Sequence, residues 1–152
     1  MMGSKNRRQS MALILPLVAI LAYGQTPTRY RHLQRVINNN AGFAHATRGM
    51  NMYTLIALRR CVTEKDIPIL AQMLNDHDRI TRMTSANVLV DLGKEGKQAV
   101  RAQLNKTSDP SERIIMDQAL TESASPEYRP ILQYPLTETE RGRIRGCGTN
   151  SH

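Results

Sequence analysis

The chain has 152 residues, with 21 basic against 13 acidic side chains, a formal charge of +8, five tyrosines, one phenylalanine and no tryptophan. That length suits one domain with a sizeable core rather than two, and the shortage of aromatics argues against a single-strand nucleic-acid platform built on base stacking. Residues 1–24 hold three of the basic residues and no acid, which leaves +5 for residues 25–152, a mild basicity that favours solubility without naming a partner.

Lys5, Arg7 and Arg8 precede thirteen uncharged, mostly apolar residues at 11–23, broken only by Pro16, and Ala22-Tyr23-Gly24 places small residues before Gln25. A basic head, a short apolar run and a small-x-small exit read as a secretory signal peptide cleaved after Gly24, so the mature chain is expected in the periplasm or secreted. A retained N-terminal membrane anchor is the alternative, disfavoured because the run falls short of the ~17–25 residues that span a bilayer. The expected division is a leader at 1–24, a repeat domain at 25–140 and a flexible basic tail at 141–152.

Residues 30–37 set Leu33, Val36 and Ile37 at helical spacing, and Asn38-Asn39-Asn40 with Gly42 closes that helix. A second helix is expected over 44–61, through Tyr53, Leu55, Ile56 and Leu58. Residues 66–93 then read as one helical hairpin. Its first helix carries Ile67, Leu70, Met73 and Leu74 on one stripe with Pro68 near the start, where a missing N–H costs little. Residues 75–78 form a polar turn, and a second helix runs over 79–92 to a stop at Gly93. Residues 94–96 read as a tight connection to a helix marked by Ala99, Val100 and Leu104. Asp109-Pro110-Ser111-Glu112 opens another helix, with Asp as N-cap, Pro at N1 and Glu at N3. Ser125-Pro126 is expected to open a further helix through Tyr128, Ile131 and Leu132 until Pro135. A final helix from about residue 141 is expected to be short or absent, because Gly142, Gly146 and Gly148 surround it.

Two patterns recur. An arginine followed at +3, +7 and +10 by packed-face residues occurs as Arg82, Ser85, Leu89, Leu92; as Arg48, Asn51, Leu55, Leu58; and as Arg113, Met116, Leu120, Ser123. Pro-x-Leu-x-x-x-Leu occurs at Pro68, Leu70, Leu74 and at Pro130, Leu132, Leu136, with a weaker copy at Gln98, Val100, Leu104. Both repeat at just over thirty residues, a period that predicts an all-α solenoid of stacked hairpins.

The first-helix pattern, an Asp-bearing turn, and Asp78-x-x-x-Arg82-x-x-Ser85-x-x-x-Leu89-x-x-Leu92-Gly93 together resemble the short HEAT-like repeat, in which alanine usually stands where Ser85 does. The resemblance spans about residues 30–145, strongest in the central unit. It implies a short right-handed α-solenoid of three to four hairpins behind an N-terminal apolar leader helix, with second helices lining a protein-binding surface. It also implies a structural Asp/Arg ladder, here Asp78, Arg82, Asp109, Arg113 and Arg48.

Candidate chemistry is sparse. Asp76-His77-Asp78 clusters possible ligands, but three consecutive residues do not readily face one ion, so no metal is expected; His32 and His45 stand alone. Cys61 and Cys147 lie two and a half repeats apart on an open stack, which favours a buried Cys61 and a free or intermolecular Cys147 over an internal bridge. The basic, glycine-rich stretch at 141–146 reads as a solvated tail, and no nucleic-acid partner is expected. Neither a phosphate loop, a metalloprotease helix nor a nucleophile elbow occurs, so no catalytic residue or cofactor is expected. The positions five residues after each repeat arginine, Tyr53, Asn87 and Gln118, form the candidate protein-contact row. The function expected is an exported, non-enzymatic interaction module or scaffold, with self-association open and membrane contact only through an uncleaved leader. The alternative is a bilin lyase-like or DNA glycosylase-like enzyme or accessory of the HEAT-like class, or a membrane-anchored form facing the cytoplasm.

Overall fold

A computed structural model describes residues 14–41, 46–47 and 50–147, with side chains over 27–41 and 52–147. Among the described residues the fold is all-helical apart from one strand pair, two residues on each side. Helix α1 (Ile14–Ala41) runs through the expected leader boundary with Pro27 inside it, and it buries the stripe of Leu33, Val36 and Ile37. Among the described residues no helix is long and apolar enough to cross a membrane.

Strands β1 (Ala46–Thr47) and β2 (Met50–Asn51) pair antiparallel, and α2 (Met52–Cys61) follows at once. This corrects the helix expected from residue 44: backbone groups of residues 46 and 51 are engaged across a β pair and are not free for a helical ladder. Asn51 is therefore off the helix, and Arg48, the first rung of the expected ladder, lies outside the described residues. Six consecutive residues of α2, Tyr53 through Leu58, are buried. A helix enclosed on every side is a core helix rather than the amphipathic member of an edge hairpin.

Thr63 and Asp66 form a reciprocal capping box around a short 3-10 turn (Glu64–Asp66), and α3 (Ile67–Met73) follows with Pro68 in its first turn. Leu70, Met73 and Leu74 are buried. Helix α4 (Arg79–Asp91) is capped by Asp78, whose carboxylate accepts from the Thr81 amide. Gly93, at φ 96° and ψ −148°, is in a backbone region open to glycine and little else, and it serves as N-cap of α5 (Lys94–Leu104). The residues expected as a connection, 94–96, are thus the first turn of α5. Gly96 is buried where an added Cβ would lie 1.8 Å from the Leu89 carbonyl oxygen, so its missing side chain lets α5 close onto α4. Helix α6 (Pro110–Ala124) starts at Asp109, which accepts from the Ser111 and Glu112 amides, and buries Ile115, Met116 and Ala119. Helix α4 packs against α2, α3, α5 and α6 and is the centre of the molecule.

The last copy of the first-helix pattern, at Pro130, is not a helix. After a turn at 125–127 the chain makes a 3-10 turn (Ile131–Gln133), and Leu132 and Tyr134 are exposed. Pro130 would sit inside the expected helix, where it removes a donor and clashes with the preceding turn, and Pro135 cuts the segment again. The chain instead returns across α2 to the end of α1 and forms α7 (Glu138–Arg143), opened by a capping box of Thr137 and Glu140. Ile144 is buried, Arg145 is hydrogen-bonded to Asn40, and Cys147 is disulfide-bonded to Cys61 across 86 residues. Two expectations are corrected here: Cys147 is not free, and residues 141–147 are not a loose basic tail. The separation assumed between the cysteines belonged to an open stack, whereas the returning strap brings both to one end.

Candidate functional site

The acids and arginines of the expected ladder serve the helix ends. Burial pushes the Asp78 carboxyl up, but the Thr81 hydroxyl and nearby amides outweigh it and hold the group below the usual carboxylate range. Asp109 is held low by the Ser111 hydroxyl, then by the amides of Glu112 and Ser111, with Arg82 contributing through space. Arg82 Nη1 donates to the carbonyls of Asp76 and His77 at 2.7 and 2.9 Å. Arg113 Nη1 repeats the arrangement, donating to Leu104 and Thr107 at 2.9 and 3.1 Å. Each arginine satisfies carbonyls at or just beyond the end of the preceding helix, in the turn that leads to its own. The link between Arg82 and Asp109 is electrostatic rather than a direct ion pair.

The close Arg–Asp pairs lie elsewhere. Arg29 grips Asp66 through Nε at 2.8 Å and Nη2 at 3.0 Å and reaches the Cys61 carbonyl at 2.7 Å. Arg59 meets Asp91 at 2.7 Å. Nothing local in the sequence marks these four residues, whose partners are more than thirty positions away. His77 is exposed beside Asp76, His32 is half-buried, and His45 is outside the described residues. No group of three His, Cys, Asp or Glu side chains able to hold a metal occurs among the described residues.

The contact row divides. Tyr53 is 4% exposed and donates its hydroxyl to Glu140 of α7 at 3.2 Å, so the strap covers it. Asn87 and Gln118 remain together on one open groove of about 170 Å3 between α4 and α6. Asn87 Nδ2 donates to the Met83 carbonyl at 2.8 Å, and Gln118 Nε2 to Glu122 at 2.9 Å. Met83, Ile114 and Ile115 supply apolar wall, and among the described residues Arg79 is the only charged one that lines it. Ile114 is 64% exposed, the largest value among the exposed large hydrophobics.

The strap is the part that sequence reasoning missed. Asp91, at the end of α4, receives the Tyr128 hydroxyl at 2.7 Å and the Ile131 amide at 2.8 Å on one oxygen, and Arg59 on the other. Burial, then the Asp91 carboxylate, raises the Tyr128 phenol above its ordinary pKa. At the far end, fully buried Asn40 accepts the Arg145 amide at 2.9 Å and donates to the Arg145 carbonyl at 3.2 Å, a two-point grip on a single residue's backbone. The Thr137-x-x-Glu140 spacing was a legible signal for α7; the Asn40 and Asp91 anchors had none. Compared with protein families, with curated proteins and with solved structures, the chain matches none.

Proposed function

We propose that this chain is an exported, non-catalytic protein-interaction module: a short HEAT-like α-solenoid whose partner binds on the groove between α4 and α6. The observation that carries the reading is the pairing of Asn87 and Gln118, equivalent positions of successive second helices, on one open, partly apolar groove. Exposed Ile114 beside the two amides offers a partner one apolar anchor and adjacent hydrogen-bonding groups. The repeated caps at Asp78 and Asp109 and the repeated arginine contacts of Arg82 and Arg113 support the solenoid reading. The Cys61–Cys147 bridge supports export, because such bridges persist in oxidising compartments. A second reading keeps the leader as a membrane anchor, supported by its basic head and the apolar run at 11–23.

A photoreactive residue placed at Gln118 should crosslink a discrete partner in cells, and the same residue at exposed Gln98 on α5 should not. Equal crosslinking at both positions, or none at either, removes the interaction reading. Mass measurement of the N-terminus separates the two locations: a start at Gln25 supports cleavage, and an intact leader in the membrane fraction supports the anchor.

A further inference from the structure

Resting on the interaction reading, we infer that the α4–α6 groove receives a peptide segment presenting one large apolar side chain beside a carboxylate. The groove's volume of about 170 Å3 falls below the roughly 300–1,000 Å3 of cofactor and drug-sized sites, and it matches a single anchoring side chain. Met83, Ile114 and Ile115 line it with apolar surface, and Asn87 and Gln118 offer amide groups to a peptide backbone. Arg79 fixes the sign. It is exposed, and among the described residues no carboxylate lines the groove with it and it forms no ion pair. An acidic group next to the apolar anchor meets a cation with no competing partner, whereas a basic one meets repulsion.

The face already binds chain. One helical turn beyond Asn87 on α4, Asp91 holds the backbone amide of Ile131 and the hydroxyl of Tyr128. The strap packs on α2 and at Asp91, and none of its residues lines the groove. The segment therefore enters beside the strap and needs no displacement of it.

The test uses the full chain and three synthetic peptides that differ at one position: a central leucine followed by glutamate, by glutamine or by lysine. The glutamate peptide should bind at least tenfold more tightly than the lysine peptide by fluorescence anisotropy, with glutamine between them. Arg79→Glu should reverse that order. This variant should fold, because an acid in the first turn of α4 suits the helix dipole, and circular dichroism checks it. Ile114→Ser should weaken all three peptides alike. Binding that ignores the charge, or an order unchanged by Arg79→Glu, overturns the inference. If no peptide binds, the inference also falls, while a crosslink at Gln118 keeps the interaction reading standing. If the chain sediments as a dimer that Ile114→Ser dissolves, the occupant is a second copy and the inference is wrong.

Discussion

The same seven-residue pattern occurs at Pro68-Leu70-Leu74 and at Pro130-Leu132-Leu136, and it folds in two ways. In the central hairpin it is a helix with Leu70 and Leu74 buried; in the strap it is a 3-10 turn with Leu132 51% exposed. The difference lies in the company each copy keeps. Around Pro68 the chain supplies a capping box, an apolar stripe and a second helix to cover it. Around Pro130 two further prolines interrupt, and the region is held by polar anchors at Asp91, Tyr53 and Asn40 and by a disulfide. A repeat motif therefore reports the potential for a hairpin, and the neighbouring prolines decide whether it is realised.

The sharpest way to break this contrast is to truncate the matching leucines. Leu70→Ala should cost about 2–5 kcal/mol in urea unfolding, and Leu132→Ala should stay within roughly 0.5 kcal/mol. Comparable losses at the two sites would mean that Leu132, like Ile131 and Ile144 of the strap, is packed in the core. Next in size is the bridge. Cys147→Ser should lower stability by about 2–4 kcal/mol, as expected for opening a long covalent loop. Hydrogen exchange should rise over residues 125–147 while α3 and α4 keep their protection. Asn40→Ala should cost about 1–2 kcal/mol by releasing the Arg145 backbone, read as a lower urea midpoint.

The smallest effect separates the regions by pH. Burial pushes the Asp66 carboxyl up, but Arg29 and the Thr63 amide hold it below its usual range. Its contribution is full above the unfolded value near ~4 and is lost as pH falls through the depressed folded value. For a partly exposed pair this is about 1 kcal/mol or less, and Arg29→Gln should flatten that acid arm. Tyr128 behaves oppositely. Its phenol is raised, so its contribution is full below ~10 and is lost as pH climbs through the folded value. Tyr30, raised by burial and then by Asp76, shares that alkaline arm. Tyr128→Phe should shrink the arm, and Tyr30→Phe should remove the remainder in a pH titration of unfolding.

Helices α3, α4 and α6 were legible because their signals are local: Pro68 in a first turn, Asp78 and Asp109 as caps, Gly93 as a stop. The early start of α5 was not, since Gly96 looks like a breaker until the Leu89 carbonyl is seen to require it. Nor was the start of α2 at Met52. The disulfide and the Arg29–Asp66, Arg59–Asp91 and Asn40–Arg145 contacts were hidden for one reason. They depend on the path the chain takes home, which helical periodicity does not encode. For the candidate site, the row of Tyr53, Asn87 and Gln118 was readable as a helix face, but the covering of Tyr53 was not.

The sulfur bond between residues 61 and 147 makes the stretch between them a ring. A protease that cuts once within it, for instance after exposed Glu127, leaves both pieces on the same molecule. The nicked protein then travels as a single band on a gel until a thiol is added, and only afterwards does the shorter piece come away.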